Sequence, residues 1–300
     1  MLLSVIIPTY KRRETLSLCL MQLAPEVQKV APDLFEVIVT DDAFSDTNEP
    51  LKENYPWLQH IAGPQKGPAS NRNNGAKSAR GDWLIFLDDD CLPQPTFLSS
   101  YIEAINKNPS YQVFEGSTLA ERPRRRLDEE APINERGGYL WSCNFMIKRQ
   151  LFNEMGGFCE LYPYACMEDV DFREQLKERK IGFLFVPKAS VIHPWRSLAT
   201  EEKYLNMLVV SHAIFFQRYP QLKPSFFTAF RTVLRGWVLG LFLESPSLEF
   251  RGFQRYFTRQ STLTQFHLRM GQNAGVPSQD PGAPSTETYH DAGSGSGRTR

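Results

Sequence analysis

The 300-residue sequence is short of the features that most readily betray a function. It carries no net charge, 34 Lys and Arg against 34 Asp and Glu, so no nucleic acid or acidic polymer is expected as a partner. Its five cysteines, Cys19, Cys91, Cys143, Cys159 and Cys166, form no C-x-x-C pair and are odd in number, which argues against a disulfide framework and against structural zinc. No apolar run reaches the ~18 residues that span a bilayer. Met1-Leu2-Leu3-Ser4 has no basic opening and no cleavage site follows it. A cytoplasmic protein is therefore expected, neither secreted nor transmembrane. The turn Pro8-Thr9-Tyr10-Lys11-Arg12-Arg13 has no glycine, where a dinucleotide-binding turn wants G-x-G-x-x-G, so a nicotinamide or flavin dehydrogenase is disfavoured. A P-loop is missing as well.

What is present is a regular alternation of short apolar runs and helix-spaced stretches. Leu2 to Ile7 reads as a buried strand ended by Pro8, and Arg12 to Val30 as a helix burying Leu16, Cys19, Leu20, Leu23 and Val27. Strands follow at Phe35 to Thr40, Trp57 to Ile61, Trp83 to Leu87, Tyr111 to Ser117 and Phe183 to Val186. Helices are expected from Ala69 to Ala79, over Phe97 to Ile105 behind Pro95, and from Met167 to Arg179. Such alternation predicts an α/β fold with a mostly parallel sheet whose functional loops open on one edge. Trp83 to Leu87 ends in Asp88-Asp89-Asp90. Three ionised carboxylates side by side need a counter-charge, and a hard divalent cation, Mg²⁺ or Mn²⁺, is the usual one.

Four segments in order, Ser4-Val5-Ile6-Ile7-Pro8-Thr9-Tyr10, Val37-Ile38-Val39-Thr40-Asp41-Asp42, Asn71-Arg72-Asn73-Asn74-Gly75 and Phe86-Leu87-Asp88-Asp89-Asp90, resemble the successive motifs of family 2 glycosyltransferases. The resemblance continues through Asn144-Phe145-Met146-Ile147-Lys148-Arg149, Gly156-Gly157-Phe158, Glu168-Asp169 and His193, and covers about residues 2 to 220. It implies the GT-A fold over 1–200, with a nucleotide-binding half at 1–92 and an acceptor half at 93–200. It also implies an inverting, metal-dependent transferase acting on a nucleoside-diphosphate sugar, a UDP-sugar by preference, with a glycan or lipid-linked acceptor. By this likeness Thr9, Tyr10, Asp41 or Asp42, Arg72 and Asp88 line the nucleotide pocket. Asp88, Asp90 and His193 hold Mn²⁺ or Mg²⁺, and Arg196 lies within reach of the diphosphate. Asp169 takes the acceptor proton while Glu168 orients its neighbours, or the two exchange roles. Asp89, Gly138, Trp141 and Asn144 are candidates for sugar and acceptor contacts, Trp141 or Tyr139 by stacking on a pyranose. The alternatives are a non-catalytic sugar-nucleotide or glycan-binding relative and a metal-dependent phosphotransferase or hydrolase.

Two further stretches carry charge. Arg122, Arg124, Arg125 and Arg126 either grip an anionic acceptor or are neutralised by their own Asp128, Glu129 and Glu130. From 201 to 270 a helical C-terminal extension is expected, one helix over Glu201 to Tyr219 and a second from Pro224 through Phe242. Residues 221–270 hold seven Lys or Arg against Glu244 and Glu249, a pattern that suits an anionic membrane surface on the inner face or, equally, a cover for the sheet or a homodimer partner. Residues 271–300, rich in Gly, Pro, Ser and Thr, read as a disordered tail.

Overall fold

The structure, a computed structural model, describes residues 2–43, 51, 54–198, 202–223 and 253–271. The chain begins β1 (Leu3–Thr9), α1 (Arg13–Leu23), α2 (Pro25–Gln28), β2 (Phe35–Asp41), β3 (Leu58–Ala62), α3 (Pro68–Ser78) and β4 (Trp83–Leu87). It continues β5 (Leu92–Pro93), α4 (Phe97–Lys107), β6 (Val113–Ala120), β7 (Glu129–Glu130), β8 (Asn144–Lys148), α5 (Arg149–Met155) and α6 (Glu168–Glu178). Last come β9 (Leu184–His193), β10 (Arg196–Ser197), α7 (Glu202–Arg218) and α8 (Phe253–Gly271).

Eight strands form one mixed sheet in the order β3-β2-β1-β4-β8-β6-β9-β5, and β7 pairs with β10 apart from it. The first four run parallel. β8 then lies antiparallel between β4 and β6, reversing the direction at the middle of the sheet. β1 is almost all apolar because both faces of the sheet are covered. One face packs Leu16, Cys19 and Leu20 of α1 with Phe97, Leu98 and Tyr101 of α4. The other packs Ala69 and Ala76 of α3, Leu151 and Phe152 of α5, and Phe172 and Leu176 of α6 around Phe86. Burying each such large side chain contributes roughly 1.5–3 kcal/mol over leaving it exposed. Gly75 lets α3 settle on the sheet, since a Cβ there would lie 2.5 Å from Ile6 Cγ2.

Several expectations are corrected. The helix over 12–30 breaks at Ala24, whose ψ of 137° is extended, because Pro25 bars the preceding residue from helical geometry and restarts the chain as α2. Pro8 does not end β1. Pairing with β4 stops at Ile6, so from there the strand has only β2 beside it and tolerates a missing N–H. The strand at 183–186 is the start of a longer one, β9, reaching His193. Residues 137–143, for which no element was expected, form a loop turned by positive φ at Gly137, Gly138 and Leu140 ahead of β8.

All five cysteines are free. The helix expected over 201–219 is α7, tied to α6 by Arg218 Nε, which donates to Asp171 at 2.5 Å. Phe215, Phe216 and Tyr219 pack there with Tyr162 and with Phe266 of α8. The helix expected from Pro224 and the tail from 272 lie outside the described residues. Among the described residues no helix is long and apolar enough to cross a membrane.

Candidate active site

The parallel strands β2, β1 and β4 end side by side, and their C-terminal residues bring Asp41, Thr9 and Asp88 to one edge. The three aspartates beyond β4 are not left to repel one another. Arg12, in the turn after β1, places NH1 2.9 Å from Asp89 Oδ1 and NH2 2.6 Å from Asp90 Oδ2. Arg196 NH2 lies 2.6 Å from the same Asp90 oxygen. Arg72 NH2 lies 2.6 Å from Asp88 Oδ1. Thr9 donates to Asp89 at 2.7 Å. Burial raises the Asp89 carboxyl to about 7, outweighing its arginine. For Asp90 the balance reverses: burial pushes up, but the Arg196 and Arg12 guanidiniums hold it well below the usual carboxylate range.

Glu168 and Asp169 open α6, where exposed N–H groups and the helix dipole favour carboxylates. Arg72 joins them to the aspartates across the sheet, its NH1 2.9 Å from Glu168 Oε1. With a side-chain exposure of 3%, Arg72 is buried beneath the site. Rather than lining the nucleotide pocket, Arg72 gives both terminal nitrogens to carboxylates. Burial, then the neighbouring Asp169, lifts Glu168 to about 7. Asp169 is also raised, burial again leading, although it accepts the N–H groups of Ser142 (3.2 Å) and Val170 (2.8 Å). Asp169 is the more accessible of the two.

His193 ends β9 with Nδ1 2.7 Å from the Pro194 carbonyl, which puts the proton on Nδ1 and leaves Nε2 a lone pair. Nε2 lies 3.5 Å from Asp90 Oδ1 and 3.2 Å from Arg196 NH2. One ligand atom each of Asp90, Cys91 and His193 falls within 4.8 Å of the others. Asp90 Oδ1 and Glu168 Oε2 are buried with no hydrogen-bond partner, a costly state unless something else satisfies them. Asp88, Asp89, Asp90, Glu168 and Asp169 face the guanidiniums of Arg12, Arg72 and Arg196, five formal negative charges against three positive. The residues thus fit a divalent cation at Asp90 and His193.

The remaining candidates separate. Thr9, Arg12 and Asp41 line a cavity of about 160 Å³ with Lys11, Arg13 and Ala43. Asp42 turns away and accepts the Gln65 N–H at 2.9 Å. Tyr10 is half-buried, its ring 5.2 Å from Lys11 Nζ. Gly138, φ +100°, gives its N–H to Glu115. Trp141 stacks on Tyr139 with ring centres 5.2 Å apart, which leaves Tyr139 as the outer ring, 45% exposed. Asn144 is a correction: 1% exposed, it donates to the Ser117 and Ala189 carbonyls and accepts from Tyr101, so it fastens strands rather than meeting sugar. Asn71, Asn73 and Asn74 likewise fasten α3 to Thr40, Phe158 and Ala62. A larger cavity, about 310 Å³, lies between α6 and α7 beside Arg179 and Arg218, away from the carboxylates.

Sequence reasoning missed Arg12, Cys91 and Glu115. Glu115 is buried in β6 and accepts the N–H groups of Gly138, Tyr139 (3.2 Å) and Leu140 (2.9 Å), shaping the turn beside the site. A lone acid in an apolar strand, Val113-Phe114-Glu115-Gly116, was the available signal. In the arginine-rich loop, Arg122 pairs with Glu129 and Arg126 with Asp128, both at 2.7 Å or less. Two of the seven basic residues counted over 221–270 also turn inward, Arg255 toward Asp128 and Arg259 toward Glu130.

The model of glycosyl transferase family 2 matches residues 4–159, more than half of the chain. Validoxylamine A glucosyltransferase of Streptomyces hygroscopicus subsp. limoneus is 27% identical over 274 residues, covering 76% of this chain and 59% of its own length. The GalNAc(5)-diNAcBac-PP-undecaprenol beta-1,3-glucosyltransferase of Campylobacter jejuni is 29% identical over 189 residues, 58% of this chain and 55% of its own. The chain spans about three fifths of the length of several curated relatives it matches. Among solved structures, S. aureus TarS 1-349 in complex with UDP-GlcNAc superposes with a TM-score of 0.57 at 16% identity, over 91% of each chain. That likeness is one of fold, and with the mixed eight-stranded sheet flanked by helices it gives the architecture as GT-A.

Proposed function

Since the chain belongs to glycosyl transferase family 2, we propose that it moves a sugar from a nucleoside-diphosphate donor to a hydroxyl of a glycan or lipid-linked acceptor, with inversion. The observation that carries this reading is the meeting of Asp88, Asp89 and Asp90 with Glu168 and Asp169 around Arg72, with Asp90 Oδ1 and Glu168 Oε2 still unpartnered. The names of two relatives, one a glucosyltransferase acting on validoxylamine A and one on an undecaprenol-linked glycan, support a hexosyl donor. TarS in complex with UDP-GlcNAc supports UDP as the nucleotide.

In this mechanism the nucleotide occupies the cavity beside Thr9 and Asp41, where a buried carboxylate accepts from a base or ribose and discriminates by leaving a wrong group unpaired. Asp90 and His193, with Asp88 beside them, would hold Mn²⁺ or Mg²⁺. Such an ion, when bound, neutralises the charge that develops on the departing diphosphate. Arg196 stands at the same carboxylate and is placed to take a phosphate oxygen. Asp169, partly exposed and raised above an ordinary carboxylate, removes the acceptor proton as that oxygen attacks the anomeric carbon from the side opposite the diphosphate. Glu168, committed to Arg72, fixes the geometry around it.

Calorimetric titration with UDP, GDP, dTDP and CDP, each with Mn²⁺ and with EDTA, tests the reading. One diphosphate, UDP, should bind only with the metal, and Asp90→Asn should abolish that dependence. Folded protein that binds none of the four refutes it.

A further inference from the structure

Arg196 reaches Asp90 from a ribbon that stands outside the main sheet. In it Arg196 pairs with Glu130 and Ser197 with Glu129, and the Leu198 N–H donates to the Asp128 carbonyl at 2.6 Å. Arg122 and Arg126 brace the β7 side through Glu129 and Asp128, and Trp195 Nε1 donates to the Arg122 carbonyl at 2.8 Å. The ribbon is also gripped by α8. Arg259 lies 2.7 Å from Glu130 Oε1 and is 17% exposed, while Arg255 is 3.6 Å from Asp128. α8 in turn is seated by Phe266 against the Tyr162, Phe215, Phe216 and Tyr219 cluster, and Arg218 ties that cluster to α6. Helix α8 is thus mechanically continuous with a guanidinium at the site.

Resting on the transferase reading above, we propose that α8 sets the position of Arg196 through the Arg259–Glu130 ion pair, and so governs how readily a divalent cation enters at Asp90 and His193. Arg196 NH2 points at His193 Nε2 from 3.2 Å and takes the lone pair the cation needs. It also holds Asp90 Oδ2 at 2.6 Å. Cation entry therefore requires Arg196 to let go of the imidazole. A ribbon held firmly by α8 keeps Arg196 in place, and a loosened one lets it drift off. Arg259 acts through Glu130 and Arg196 and is a positioning residue; it touches no substrate.

The test is Mn²⁺ binding alone, measured by calorimetry and by the loss of the free-ion paramagnetic resonance signal, on the full chain and its variants. Arg196→Gln removes a charge-assisted hydrogen bond that competes with the ion and should tighten Mn²⁺ binding about tenfold. Arg259→Ala should tighten it about threefold, and Arg259→Lys should return it to the wild-type value. Glu130→Gln breaks the same pair from the ribbon side and should match Arg259→Ala, which covers the case in which that variant does not fold. Unchanged Mn²⁺ affinity in Arg259→Ala and Glu130→Gln, with only a lower urea midpoint, would make the pair a plain structural contact and overturn the proposal. Wild-type protein that binds Mn²⁺ and UDP while these variants stay unmoved refutes this inference alone. Failure of the wild type to bind any diphosphate refutes the transferase reading instead.

Discussion

Replacing Arg72 by methionine keeps an aliphatic stem of similar length but removes the guanidinium, whose carbon lies 5.8 Å from the Phe158 ring centre, and with it the charge. Two carboxylates then lose their shared cation: Glu168, 3% exposed, and Asp88, 21% exposed. Leaving one partner of a buried pair uncompensated costs about 3–5 kcal/mol. The loss should depend on pH, and its sign follows from Glu168. In the wild type the folded carboxyl titrates at about 7, above its ordinary 4.5, so it is neutral in mildly acidic solution and Arg72 then serves chiefly Asp88. Because the folded value is raised, Glu168 itself contributes stability at low pH that is lost as pH rises from 4.5 to 7. Without Arg72 the folded carboxyl moves higher still. The variant's deficit therefore widens above pH 7, by at most about 1.4 kcal/mol per pH unit, until its own Glu168 ionises. Urea unfolding at pH 6 and pH 9 reads this directly. A deficit below about 1 kcal/mol at both values, or one that narrows with rising pH, would show that Arg72 is not the counter-ion of Glu168.

Asp169→Asn removes the proposed base without disturbing the nucleotide side; kcat should fall about 10²–10⁴-fold while calorimetry finds metal-dependent UDP binding intact, and normal turnover would move the base elsewhere. Gly75→Ala puts a Cβ 2.5 Å from Ile6 Cγ2 and should lower stability by about 1–3 kcal/mol in urea; a neutral change would mean α3 shifts off the sheet without cost.

The sequence disclosed what is local and hid what is distant. β1, β2 and β4 were legible because buried parallel strands are written as apolar runs; β2 and β4 end at their aspartates, whereas β1 runs on through Pro8 to Thr9. The carboxylates were legible as a group through Asp88-Asp89-Asp90 and Glu168-Asp169. Their counter-charges were not. Arg12 and Asp90 are separated by 78 positions, Arg72 and Glu168 by 96, Arg196 and Asp90 by 106. Nothing in the neighbourhood of any of these arginines marks its partner. The same holds for Asn144, which looked polar enough for a sugar and is in fact consumed by carbonyls of β6 and β9. Pro25 was visible to anyone counting breakers; the helical spacing of Val27 behind it obscured the restart.

The reversal at β8 also gives the molecule a calendar. A chain leaving the ribosome has β1 to β4, with Arg12, Arg72 and Asp88 to Asp90, well before Glu168, His193 and Arg196 emerge. At ~5–20 residues per second the interval lasts on the order of 5–20 seconds. During it Asp88 and Asp90 have some arginines but lack Glu168 opposite and the imidazole beside them. β8 cannot fill its place between β4 and β6 until it too is made, so β4 keeps a bare side for the first part of that wait. Newborn chains are thus exposed to edge-to-edge association at β4, and the full set of groups at Asp90 closes only once both strands of the outer ribbon have been synthesised.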